Sequence, residues 1–242
     1  MKSKHFSVLF LFLCVSIFAQ QKITVEQIYN GTFRAQGMDA LQSLKNTNQY
    51  TVLNMDRASR SMQIDVYDFA TLKKSATLID TKDHKGLPLI DGYTFDATEK
   101  AMLLACNSKQ IFRHSFTADY YLYQIATKEL TKLFDFQIQE PTFSPDGKKI
   151  AYARDNNLYV YDLASKQTTQ ITTDGKKNAV INGITDWVYE EEFAFVKAFD
   201  WSADSKKLAY IRFDESAVPE FSMSMFNKDL YPTVETFKYP KA

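Results

Sequence analysis

Two strand-and-turn units recur along this chain and restrict what it can fold into. Residues 93–106 (YTFDATEKAMLLAC), 141–154 (PTFSPDGKKIAYAR) and 198–212 (AFDWSADSKKLAYIR) share one order: aromatic residue, polar turn, charged residue, apolar strand. In the second copy the turn is Pro145-Asp146-Gly147, where proline presets φ and glycine accepts a positive φ. The other unit recurs as IDVYDFATLKKSATLI, YYLYQIATKELTKLF and LYVYDLASKQTTQIT. Each copy reads as a strand alternating at period two, a short turn and a second strand, which is a hairpin pattern. Tyr67, Tyr123 and Tyr161 mark equivalent positions in it. Four short strands every ~40–50 residues is the period of a β-propeller blade. The expected fold is therefore all-β, a partial β-propeller. A two-sheet sandwich is the alternative, but recurring paired elements with insertions suit blades better.

Helical periodicity is confined to two short stretches, residues 25–29 and 187–195. Two segments depart from the repeat. Residues 107–120 (NSKQIFRHSFTADY) lengthen one strand-to-strand step, and residues 174–199 (DGKKNAVINGITDWVYEEEFAFVKAF) separate two blades by more than a tight loop. Insertions on a repeat scaffold gather at one rim and often carry function. After LAYIRFDES no further paired element is expected, and FKYPKA is read as ending without a stabilising strand. About three blades cannot close on themselves to remove their edges, so the chain reads as the N-terminal piece of a larger protein.

With 29 basic and 29 acidic side chains the formal net charge is zero, which gives no basic surplus to attract nucleic acid or anionic lipid. Hydrophobic residues at 45% supply a sizeable core. The N-terminus reads as an export signal over residues 1–19: Lys2, Lys4 and His5, then the apolar run FSVLFLFLCVSIF, then Ala19 before QQK. That run is too short for the ~30 Å hydrocarbon core, which needs about 20 residues. An uncleaved anchor is the alternative. The expected organisation is a signal peptide at 1–19 and an incomplete propeller domain at 20–242, exported to the periplasm or secreted. Only Cys106 then remains, without an internal disulfide partner, and it is expected as a buried strand residue.

Self-sufficient catalysis has no visible basis here. The seven glycines (31, 37, 86, 92, 147, 175, 183) contain no pair spaced for G-x-S-x-G, and they also exclude a P-loop and G-x-G-x-x-G. No H-E-x-x-H or C-x-x-C occurs, so neither a metal nor a cofactor is expected. What remains is TDWVYEEEF, residues 185–193. On one reading Asp186 caps a short helix and Glu190, Glu191 and Glu192 are its solvated early turns. On the other, flanking Trp187, Tyr189, Phe193 and Phe195 leave the acids only partly hydrated, and a cation must neutralise them. Adjacent helical residues point ~100° apart, so two glutamates can converge on one ammonium while the third faces away.

NGITDWVYEEEF closely resembles the double-glutamate motif of dipeptidyl peptidase IV-type serine exopeptidases, of the prolyl oligopeptidase superfamily. IFRHSFTADYYLYQI resembles the arginine-bearing segment of that family, FSPDGKKIAYARDNNLYVYDL its blade core, and IRFDESAVPEFSM with YPTVETFKYPKA the following blade. ITVEQIYNGTFR suits its opening segment. The resemblance implies an N-terminal propeller of eight blades over a C-terminal α/β-hydrolase domain with a Ser-Asp-His triad, of which this chain would hold the first blades and no catalytic residue. It implies release of Xaa-Pro or Xaa-Ala dipeptides from peptides with a free N-terminus, and a homodimer at full length. It assigns the substrate α-ammonium to Glu191 and Glu192. To Arg113 it assigns the substrate carbonyl and the holding of those glutamates. A non-catalytic exported propeller that binds peptide N-termini or a partner protein is the second expectation.

Overall fold

The structure, a computed structural model, describes residues 22–35, 37 and 40–239; the expected export signal lies outside them. No helix among the described residues is long and apolar enough to cross a membrane. In the first compact unit, Met1–Asp39, helix α1 spans Val25–Tyr29, as expected. Thr24 caps it reciprocally: its hydroxyl accepts the Gln27 N–H at 3.2 Å, and the Gln27 side chain accepts the Thr24 N–H at 3.1 Å.

The second unit, Ala40–Ala242, holds three four-stranded antiparallel sheets, each with its strands side by side in chain order. The first comprises β1 (Leu41–Ser43), β2 (Gln49–Asp56), β3 (Ser61–Asp68) and β4 (Lys74–Asp80). The second comprises β5 (Ile90–Phe95), β6 (Ala101–Gln110), β7 (Phe116–Gln124) and β8 (Glu129–Lys132). The third comprises β9 (Gln139–Phe143), β10 (Lys149–Arg154), β11 (Asn157–Asp162) and β12 (Thr168–Gln170). These separate meanders are propeller blades rather than two facing sheets of a sandwich. Tyr67, Tyr123 and Tyr161 are each the penultimate residue of the third strand in their sheet, so the equivalence read from the sequence holds.

Local chemistry repeats with the sheets. In the first-to-second strand turns, Asp96, Ser144 and Ser202 each accept a backbone N–H three residues on, from Glu99, Gly147 and Ser205. Those three residues share a left-handed backbone, with φ of 57°, 69° and 60°. The turn side chain then receives a backbone N–H five residues on, where the next strand begins, from Ala101, Lys149 or Lys207. The Asp146 N–H donates to the Ser205 hydroxyl at 3.0 Å, tying one turn to its successor.

Core packing follows from the second strand of each blade. Along β6, Met102, Leu104 and Cys106 pack with Ile64 and Ile79 of the first sheet, while Leu103 and Ala105 pack with Ile150 and Tyr152 of the third and with Ile138 just before it. Along β10 the pattern repeats: Ile150 and Tyr152 face backwards, and Ala151 and Ala153 face forwards onto Ile181, Phe199 and Phe213. Strands covered on both faces need continuous apolar runs, which is why AMLLAC and KIAYA do not alternate. Cys106 is fully buried at the end of that run, and burial pushes its thiol up to about 12, with Asp91 and Asp119 adding to the effect. It packs as a hydrophobe and is not a nucleophile.

Beyond the third sheet the pairing becomes nested. β13 (Val180–Asn182) pairs with β16 (Arg212–Asp214), and inside that pair β14 (Phe199–Trp201) meets β15 (Leu208–Tyr210). Between β13 and β14 lies helix α2, Trp187–Phe193. It ends two residues before the expected boundary because Ala194 adopts a left-handed conformation, φ 55° and ψ 37°. A second correction concerns the C-terminal segment, which was expected to lack a stabilising strand. β18 (Thr233–Lys238) pairs with β17 (Glu220–Met225) along six register positions.

Two glycines with the same left-handed backbone separate conformation from packing. A Cβ on Gly147 would meet only the Asp96 carboxylate at an ordinary 3.6 Å, whereas on Gly183 it would lie 2.5 Å from the buried Leu158 side chain. Gly147→Ala should therefore cost about 1 kcal/mol, the left-handed penalty alone. Gly183→Ala should cost about 3 kcal/mol, because Leu158 must also be displaced. Urea unfolding midpoints of the two variants check this, and equal losses would refute the packing at Gly183.

Candidate functional site

The β6–β7 hairpin builds one half of the site. Both strands run past the sheet, with Lys109 opposite Thr117 and Gln110 opposite Phe116 after a register shift near Cys106. The segment read as an inserted loop is thus mostly hairpin extension. Its base is braced by Asn107, whose amide donates to Asp119 at 2.8 Å, and whose carbonyl accepts from Gln137 at 2.8 Å. Only residues 111–115 turn at the tip. There the Ile111 N–H donates to the Ser115 carbonyl at 2.8 Å, and the Phe112 N–H donates to the Ser115 hydroxyl at 3.2 Å. The Gln110 side-chain amide donates to the carbonyls of Phe112 and Arg113, the latter at 2.9 Å.

Helix α2 builds the other half. Asp186 caps it as expected, accepting the Tyr189 N–H at 2.9 Å. The insertion is clasped at its base, where Ile184 bridges Lys197 and the Thr185 N–H donates to the Val196 carbonyl at 3.0 Å. Tyr189 stacks edge-on against Phe213 at 4.8 Å, and Trp187 lies 4.8 Å from Tyr239. A seven-residue helix has little stability of its own, so these anchors and caps hold it.

Hairpin and helix meet through consecutive glutamates. Arg113 grips Glu191 with two parallel contacts of 2.9 Å, from Nε to Oε2 and from Nη2 to Oε1. Glu190 is 1% exposed, and its Oε1 accepts the N–H groups of His114 and Ser115, the second at 2.9 Å. Its Oε2 has no hydrogen-bond partner among the described residues. Glu192 is exposed and makes no hydrogen bond or ion pair among them. The structure thus brings Arg113 and Glu191 together, and turns one glutamate of the three inward. That residue, Glu190, is one that sequence reasoning did not single out. The available signal was its position three residues after Trp187, on the aromatic side of the helix.

Electrostatically the neighbourhood is acidic. Burial pushes the Glu140 carboxyl above its usual range, Lys197 counters this, and Glu190 reinforces it. Glu215 is likewise raised by burial and by Asp186, and drawn back by Lys238. Among the described residues no group of three or more His, Cys, Asp or Glu could hold a metal ion. A cavity of about 710 Å³ opens beside the site, bounded by Phe112 and Ser115 of the hairpin tip and by Thr185 and Trp187; neither Arg113 nor the three glutamates line it. Chemically the arrangement offers one acidic side chain gripped by a guanidinium, with a second standing free beside it on an exposed helix edge.

Comparison with known proteins gives the following. The family described as "Dipeptidyl peptidase IV (DPP IV) N-terminal region" matches residues 96–242. The chain is 40% identical over 159 residues to a probable dipeptidyl-aminopeptidase B of Talaromyces marneffei, covering 59% of this chain and 18% of that protein. It is 31% identical over 228 residues to the prolyl endopeptidase FAP of Mus musculus, covering 92% and 28%. Among solved structures, dipeptidyl peptidase 4 of Porphyromonas gingivalis superposes with a TM-score of 0.82 at 37% identity, covering 92% of this chain and 32% of that one. The chain therefore spans less than a third of each of these proteins.

Arg113 is largely exposed, with 69% of its side chain in contact with solvent. Its ion pair with Glu191 should consequently contribute less than about 1 kcal/mol to stability. Arg113→Ala is expected to leave the unfolding midpoint almost unchanged, as read by denaturant titration. A loss of several kcal/mol would make the pair a structural tie instead.

Proposed function

Because the chain belongs to the dipeptidyl peptidase IV N-terminal region family, we propose that it is the substrate-recognition part of an exported serine dipeptidyl peptidase, one that releases Xaa-Pro and Xaa-Ala dipeptides from peptides with a free N-terminus. The observation that carries the reading is the bidentate hold of Arg113 on Glu191, at the edge where Glu192 stands free. In this proposal the substrate α-ammonium sits between Glu191 and Glu192 and donates charge-assisted hydrogen bonds to both. Arg113 offsets the repulsion between the two neighbouring acids. In the same proposal its guanidinium also donates to the first substrate carbonyl.

Such a clamp works as a ruler. Anchoring the amine at a fixed distance from the nucleophile presents the second peptide bond for cleavage, so dipeptides leave and blocked N-termini are refused. Positioning of this kind contributes several kcal/mol toward the barrier. The nucleophile, its triad and the proline pocket would come from the α/β-hydrolase domain of the full-length polypeptide. Export before action agrees with the apolar N-terminal run of the sequence. A homodimer is proposed for the full-length protein on the family resemblance alone.

Hydrolysis of a Gly-Pro-chromophore by the full-length polypeptide tests the reading. Replacing Glu191 and Glu192 together by alanine removes charge-assisted hydrogen bonds that contribute about 1.5–3 kcal/mol each, so kcat/KM should fall by about a hundredfold or more. An acetylated Gly-Pro substrate should be refused by the unmodified enzyme. Unchanged turnover in the double variant would return the acids to a solvated helix edge. A full-length polypeptide without activity would favour the non-catalytic propeller that captures peptide N-termini.

A further inference from the structure

We propose that Glu190 is the positioning residue of the amine clamp: it fixes the hairpin tip on helix α2, and so sets where the Arg113 guanidinium holds Glu191. The inference rests on the peptidase reading above and deepens it. The Arg113–His114 peptide unit is held at both of its polar atoms. Its carbonyl accepts from the Gln110 amide at 2.9 Å, and its N–H donates to Glu190 Oε1. The Ser115 N–H converges on the same oxygen at 2.9 Å, so two successive amides cup one carboxylate oxygen. Both N–H groups donate to one oxygen where solvent competes little, which strengthens each bond.

The geometry assigns this oxygen to more than closing a turn. The tip already closes itself through Ile111, Phe112 and Ser115 without help from the helix. What Glu190 adds is a rigid link between two elements separated by 75 residues in sequence. Glu190 and Glu191 are consecutive on one short helix, so the first holds the backbone beside Arg113 while the second holds its side chain. The arrangement carries a local cost, since a buried carboxylate keeps one oxygen without a partner. Because only Oε1 touches the hairpin, a glutamine here retains the acceptor that matters.

Steady-state kinetics of the full-length polypeptide on Gly-Pro-chromophore, with active sites titrated by a serine-directed fluorophosphonate, separates positioning from folding. Glu190→Ala should raise KM about tenfold or more while kcat per titrated site changes less than about threefold, a misplacement effect. Glu190→Gln should recover KM to within about threefold. If the alanine variant does not fold, Glu190→Asp withdraws the acceptor by one methylene and should raise KM in the same direction. Amide hydrogen exchange at His114 and Ser115 should quicken in the variants that raise KM. In an Arg113→Ala background, adding Glu190→Ala should change KM less than about twofold. An undiminished rise there would overturn an action through Arg113. Fewer active sites with unaltered KM would reduce Glu190 to a stabilising residue and refute the proposal. Glu191→Ala serves as the reference arm. If it raises KM and Glu190→Ala does not, positioning fails alone; if it leaves KM unaltered, the clamp reading fails and takes positioning with it.

Discussion

Two strands, β6 and β10, are covered on both faces, and the rest of the structure depends on that double burial. Each contributes odd residues to one interface and even residues to the next: Leu103 and Ala105 turn one way from β6, Met102 and Leu104 the other. A blade with a single apolar face would end the stack. Each fully buried Leu, Ile or Met in these strands contributes about 1.5–3 kcal/mol to one interface, while the strand as a whole is shared by two neighbours. Ala105, Ala151 and Ala153 place small side chains within these buried interfaces.

On this frame the site is assembled by elements that leave the repeat. The β6–β7 hairpin grows beyond its sheet and carries Arg113 at its tip; the long connection after the third sheet folds into a clasped helix and carries the glutamates. Neither is a loose loop. The hairpin tip has its own hydrogen bonds, and the helix has an Asp186 cap, a left-handed stop at Ala194 and aromatic anchors beneath it. Rigid support of this sort is what a binding geometry needs, because it reduces the conformational entropy lost when a ligand is held.

The blade repeat was legible because it is written in turn chemistry. Asp96, Ser144 and Ser202 occupy the same place in three turns, and the penultimate tyrosines occupy the same place in three strands, so short motifs sufficed. Less legible was whatever depends on partners distant in sequence. β13 to β16 are three residues each and pair in a nested order, so no periodic signal identifies them. The β17–β18 ribbon was missed because its apolar residues stay largely exposed, and burial sets the alternation that sequence reading looks for. At the site, Arg113, Glu191 and Glu192 stood out through family resemblance, and the structure joins the first two. Glu190 did not stand out, since its partners are backbone N–H groups, and a backbone donor leaves no trace in the identity of the residues that supply it.

The distance along the chain between hairpin tip and helix has a bearing on the order of folding. Arg113 and Glu191 are separated by 78 residues, with the whole third sheet between them. A contact of that span closes a long loop, and the entropy it removes is recovered only after the intervening strands have set. The contact between hairpin tip and helix is therefore expected to close late, after the second and third sheets and the nested strands are in register. Until then the polypeptide carries its acids and its guanidinium far apart along the chain, with no edge on which one holds the other.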